Sequence, residues 1–239
     1  MNALGLLALA LAPCAAIGLY IYFKDKYERE PISLVAMSFF LGVASTVVTL
    51  VLSWPIGRML PIDEKDLSAQ AIHAFLLVAL IEEFSKFIFI RWVLYPNKNF
   101  NEPYDGIVYA VSVGLGFAGL ENVLYVMGSA NGIATGLLRM FTAVPAHATF
   151  AVLMGYFMGI AKFEKGKAHY VWYGLGAATI FHGAYDYFWF ISYLPGLWTG
   201  AIASLAIGVF LSRKAIRMHQ LASPFNPRKT GSTLKSGNP

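Results

Sequence analysis

The 239-residue chain contains a single cysteine, Cys14. An internal disulfide and a cysteine-based metal site are both excluded, and Cys14 reads as a buried apolar residue. Charge is scarce. Asp, Glu, Lys and Arg make up 13% of the residues, against about 25% in a soluble domain. The HExxH zinc signature is absent, no serine or cysteine stands as an obvious nucleophile, and no glycine-rich phosphate loop follows a strand. No internal repeat of the kind that marks many transporters is present. The N-terminus lacks a basic region ahead of its first apolar run, which reads as a retained membrane helix rather than a cleaved signal.

Hydrophobic residues make up 57% of the chain. They fall in seven segments of spanning length, at about 3–23, 32–54, 71–95, 104–128, 133–161, 169–193 and 195–212. The expected fold is an all-α, polytopic transmembrane helical bundle of about seven spans. Eight is the alternative count. The short last segment follows the Leu194-Pro195-Gly196 turn, and its alternative reading is a shallow hairpin partner. One domain is expected over 1–221, with its chemical core at 71–193. A basic tail rich in Ser, Pro, Gly and Lys at 222–239 reads as disordered. The net charge of +5 points to membrane topology rather than nucleic acid. With the N-terminus outside, 14 of the 18 Lys and Arg residues fall in inner loops or the tail. The positive-inside rule thus places the C-terminus in the cytoplasm and the protein in the cell membrane.

The segment at 71–95 carries Glu82, Glu83 and Lys86 at its middle. A charge at mid-depth costs about 2.5–3.5 kcal/mol or more, and is tolerated where it faces protein or water and finds a partner. At spacings of three and four, both carboxylates reach the one ammonium on a helix. The other spans contribute Glu121, Arg139, His147, His182 and Asp186. With the orientation above, all lie between the midplane and the outer face, so distant sequence positions converge on one depth. His182 and Asp186 stand four apart, which lets the carboxylate fix the imidazole tautomer. Pro145 is expected to bend its helix beside His147. Asp105 is expected to cap a helix start, and Arg139 to snorkel to the outer interface. His73 and His169, near span ends, and His219, in the tail, are expected to have no chemical part.

Such a set suits water activation. A carboxylate acts as general base, a second carboxylate or a histidine donates to the leaving amine, and imidazole N–H groups stabilise the oxyanion. A Glu/His set also ligates metals. A proton- or ion-coupled transporter is the alternative reading of the same residues, and a non-catalytic scaffold the third.

Four motifs match a known family in order across four helices. Glu82-Glu83-Phe84-Ser85-Lys86 resembles the EExxK motif of the PrsW family of bacterial intramembrane proteases. Gly116 to Asn122 is similar to its GFxxxEN motif, with Asp105-Gly106 upstream. Arg139, His147 and Gly155 resemble its third segment, and His182 to Asp186 its HxxxD motif. The resemblance implies an intramembrane endopeptidase, glutamate-type or metal-dependent, that makes the site-1 cut in a single-pass, membrane-spanning anti-sigma factor. It implies Glu82, Glu83, Lys86, Glu121, His147, His182 and Asp186 as the catalytic set, supported by Phe117, Asn122 and Arg139. Glu83, Glu121, His147 and His182 are the candidate metal ligands and zinc the candidate ion, with the metal requirement left open. The expected partners are the substrate and the lipid bilayer, with no nucleic acid.

Overall fold

The computed structural model describes residues 2–60 and 62–227. Among these the regular structure is entirely helical. Helices α1 (Ala3–Lys24) and α2 (Ile32–Met59) come first. A rod, α3, follows over 67–94, then α4 (Pro103–Gly128), a short α5 (Gly132–Phe141), α6 (Ala143–Phe163), α7 (Tyr170–Phe190) and α8 (Trp198–Ala222).

Helix α4 is buried on every face from Pro103 to Gly119, as a mostly apolar helix must be. It packs against α1, α2 and α6 and forms the axis of the bundle. Its start is written locally. Pro103 occupies the first turn, Glu102 accepts from the backbone N–H of Asp105, and Asp105 Oδ2 accepts from the Glu102 and Asn101 N–H groups, each at 2.7 Å. The expected cap at Asp105 is therefore present. Glycine permits the closest crossing: a Cβ at Gly116 would overlap the Phe39 carbonyl on α2, and one at Gly42 would overlap the Val113 carbonyl on α4.

The rod α3 changes pitch along its length. Wide π turns at His73–Ala79 and Ile90–Leu94 bracket the α-helical stretch Leu80–Phe89 that carries Glu82, Glu83 and Lys86. Single-turn π segments of this kind are frequent at functional sites. The expected bend near His147 is a full break. Helix α5 ends at Phe141, Thr142 leaves helical geometry (φ −120°, ψ −76°), and α6 restarts with Pro145 in its first turn. His147 follows two residues later, at the start of the second turn.

Among the described residues, five helical stretches are long and apolar enough to cross a bilayer: α1, α2, α4, the α5–α6 pair and α8. The rod α3 and helix α7 fall outside that group. The first carries three central charges, and the second is rich in Tyr and Trp and contains His182 and Asp186. The two helices that lower the count thus carry Glu82, Glu83, Lys86, His182 and Asp186. Helix α8 runs to Ala222, so His219 belongs to a helix and not to a tail. It is buried, stacks on Tyr156 and bonds the Tyr156 carbonyl at 2.8 Å. Residues 223–227 make a turn with Ser223 and Asn226 buried, whereas disorder was expected. The remainder of the expected tail, 228–239, lies outside the described residues.

The glycine crossing yields a prediction. Gly116→Val should destabilise the protein by about 1–3 kcal/mol, read as a lower unfolding midpoint in detergent. An unchanged midpoint would show that α2 and α4 are not held at that distance.

Candidate active site

Glu83 and Lys86 lie on one face of α3, and their side chains are almost fully buried. Lys86 Nζ donates to Glu83 Oε1 at 2.7 Å. The same oxygen accepts from His182 Nδ1 on α7, also within hydrogen-bond range at 2.8 Å. Lys86 Nζ is 3.4 Å from His147 Nδ1 on α6 and lies over the Phe117 ring of α4, 4.0 Å from its centroid. An ammonium only donates, so His147 Nδ1 is the acceptor and its Nε2 carries the proton. That Nε2 donates to Glu121 Oε2 at 2.9 Å.

Glu121 is further held by Arg139 at 2.7 Å, and Arg139 Nε donates to Asn122 Oδ1 at 2.5 Å. The guanidinium also covers the Tyr125 ring at 4.1 Å. Arg139 is thus tied inward rather than snorkelling outward: α5 turns back against α1 and α4, which brings its last turn over Glu121. Asn122 donates to the Ala10 carbonyl at 3.0 Å and fastens the group to α1.

His182 has a second carboxylate neighbour, Asp186, 3.2 Å from its Nε2. With carboxylates at both nitrogens, the ring donates from both. It stacks on Phe150 at 4.8 Å and meets His147 edge-on at 5.1 Å. Every sequence-derived site residue therefore joins one contiguous group, drawn from α3, α4, α5, α6 and α7.

The charges in this group do not balance. Four carboxylates (Glu82, Glu83, Glu121 and Asp186) face three cations: Lys86, Arg139 and a doubly protonated His182. The unmatched carboxylate is Glu82. Its Oε2 is 3.7 Å from Lys86 and 3.8 Å from His182, and this buried oxygen has no hydrogen-bond donor. Glu82 and Glu121 both line a polar cavity of about 430 Å³, together with Arg139, His147, His182 and Asp186. They also line a second cavity of about 340 Å³ bounded by Thr46, Thr49 and Ser53 of α2. Glu83 lines neither cavity.

A donor set for a metal is present, with Glu82 in place of the expected Glu83 and Glu121. Glu82, His147 and His182 each offer a ligand atom within 4.8 Å of the others. Glu83 and Glu121 fall outside that group. Two imidazoles and a carboxylate suit zinc and leave a fourth position for water. Both rings now use both nitrogens, so an ion would take one nitrogen of each from its present partner. The orphan oxygen of Glu82 is the observation in favour of the fit.

His73 was given no chemical part, yet it lines the polar cavity and stacks on Phe190 at 5.0 Å. Its place on α3, about two turns before Glu82, was the available signal. Tyr125 stands four residues beyond Glu121 on the same face of α4, which the spacing alone could have revealed.

The PrsW family of intramembrane metalloproteases matches residues 30–212. The chain belongs to this family. Protease PrsW of Geobacillus kaustophilus (strain HTA426) is 39% identical over 183 residues, covering 76% of this chain and 78% of the relative. Protease PrsW of Bacillus subtilis (strain 168) is 37% identical over 186 residues, covering 76% and 81%. That of Clostridioides difficile (strain 630) is 30% identical over 196 residues, covering 80% and 81%. No solved structure matches the chain. Membership in the PrsW family makes the chain a peptide-bond hydrolase and a multi-pass protein of a bacterial membrane, which sets aside the transporter and scaffold readings.

In this PrsW site Lys86 is the cation shared by Glu83 and His147. Removing one partner of a buried ion pair costs about 3–5 kcal/mol. Lys86→Met should lower the unfolding midpoint accordingly, and adding Glu83→Gln should recover part of the loss. A Lys86→Met protein as stable as wild type would contradict the pairing.

Proposed function

We propose that the chain cuts a single-pass, membrane-spanning regulatory protein of the anti-sigma type, at a site-1 position toward the outer face, with Glu82 as the water-activating carboxylate. The orientation read from Lys and Arg supports the outer placement, with seven spans, the N-terminus outside and the C-terminus inside. The observation that carries the assignment is the buried, donorless oxygen of Glu82 at the wall of the polar cavity.

In this reading Glu82 accepts a proton from water in the cavity. The water oxygen bonds to the substrate carbonyl carbon and the C–N bond breaks. The proton passes to the leaving amine, giving an acid and an amine. The charge held at His182 lies beside the developing oxyanion. Glu83 and Asp186 fix the His182 ring from its two nitrogens, and Lys86 holds Glu83 in place. Arg139 and His147 hold Glu121 at the other side of the cavity. Zinc is the candidate ion: were it held by Glu82, His147 and a His182 that gives up one proton, Glu82 would serve as a ligand in place of the free base and the ion would supply a water with a pKa near 7.

The test is cleavage of a tagged single-pass substrate by the purified chain in liposomes. Glu82→Gln should lower the rate by about 10²–10⁴-fold, the range for loss of a general base. Chelator should suppress cleavage by the wild type and added zinc restore it. Wild-type cleavage by Glu82→Gln would remove Glu82 from the chemistry, and cleavage unaffected by chelator would remove the metal.

A further inference from the structure

A second polar cluster lies at the other end of α4. Asp105 precedes Glu121 by 16 residues, roughly 24 Å along a helix. Around Asp105 gather Asp25, Glu28 and Glu30 from the α1–α2 connection and Glu102 from the start of α4. Asp25, Glu30, Glu102 and Asp105 are each at most 1% exposed. One ligand atom from each of Asp25, Glu102 and Asp105 falls within 4.8 Å of the others, and Glu28, Glu30 and Asp105 form an overlapping trio on the same criterion.

Among the described residues, these five carboxylates have no paired cation: no lysine or arginine lies within 4.0 Å of any of them. Lys162, whose field reaches Asp105 and Glu30, directs its ammonium to the Tyr95 and Asn97 carbonyls. Most of the carboxylates are half satisfied. Glu30 Oε2 accepts from the Tyr109 hydroxyl and Asp105 Oδ2 from two backbone N–H groups. Asp25 Oδ2, Glu28 Oε2, Glu30 Oε1, Glu102 Oε2 and Asp105 Oδ1 are all buried without a hydrogen-bond partner, as is Asn101 Oδ1. Asp25 faces Glu102 and Glu30 faces Asp105 within hydrogen-bond range, and with no orphaned donor among the carboxylates these oxygens make a cage of acceptors. Burying unpaired carboxylates is costly. Without an ion, burial and the neighbouring acids hold the Asp25 and Glu30 carboxyls up at about 7.

We propose that this junction binds a divalent oxygen-seeking cation, calcium in preference to magnesium. The donors are all oxygens, from five carboxylates in two trios that share Asp105, with no sulfur or imidazole, which disfavours a transition metal. Their irregular origin, from a loop and a helix start, suits the flexible coordination of calcium better than the strict, water-retaining octahedron of magnesium. The ion ties the α1–α2 connection to the entry of α4. Through Glu102, which also bonds Ser223, it reaches the end of α8.

The experiment uses the purified full chain in detergent, stripped with chelator and then titrated with CaCl2, MgCl2 or ZnCl2 while unfolding is followed. Calcium at a hundred-fold excess over its Kd should raise the midpoint by about 5–10 °C, with a smaller rise for magnesium. The calcium response should persist in His182→Ala, which separates this junction from the candidate active site. Asp25→Asn and Glu28→Gln each remove an unpaired charge. In chelator they should be at least as stable as wild type, and they should lose most of the calcium response. No response to calcium or magnesium in the wild type would overturn the proposal in favour of protons shared between carboxyls. A calcium response left intact by both variants, or one abolished by His182→Ala, would overturn it equally.

Discussion

Glu83 Oε1 accepts from Lys86 on its own helix and from His182 on α7. That shared oxygen joins the rod α3 to the opposite wall of the bundle, and the other contacts follow from it. Lys86, drawn to Glu83, also meets His147 and the Phe117 ring. His147, fixed at Nδ1, presents its other nitrogen to Glu121, and Glu121 fixes Arg139. In a low-dielectric interior none of these groups is stable alone. Their mutual satisfaction makes the arrangement affordable, and it leaves one carboxylate, Glu82, out of the pairing and against the cavity. Two adjacent glutamates thereby take different parts, one structural and one free to react.

The fold class and the membership of the polar group were legible in the sequence because lipid enforces simple rules. A run of apolar residues signals a helix, and a charge inside it signals a partner. Glu82, Glu83, Lys86, Glu121, His147, His182 and Asp186 could all be named from that logic. The pairings were not legible. A spacing of three or four says that a carboxylate can reach Lys86; it does not say that Glu83 wins over Glu82, which depends on where α7 places His182. Arg139 was misread for a related reason. A position near a span end suggests snorkelling, and only the break at Thr142 turns α5 back so that its last turn covers Glu121. The break itself was half legible, since Pro145 announced a distortion but not that α6 would restart two residues earlier.

The acidic junction escaped sequence reasoning more completely. Asp25, Glu28 and Glu30 sit in a loop between two spans, where charge is unremarkable, and Asp105 has an ordinary explanation as a cap. Their burial comes from tertiary packing of the α1–α2 connection against the start of α4, which no local pattern encodes. The two ends of α4 thus pose opposite electrostatic problems. One end is a nearly neutral network with a single spare carboxylate, and the other is a cage of acceptors.

The division of labour between the neighbouring glutamates is the centre of this account, and thermal unfolding of Glu82→Gln and Glu83→Gln side by side tests it most directly. Glu83→Gln should unfold at a clearly lower temperature than wild type, because Lys86 and His182 lose their common acceptor. Glu82→Gln should unfold at the wild-type temperature or above, because it removes the one unmatched charge. The reverse order, with Glu82→Gln the less stable protein, would contradict the account.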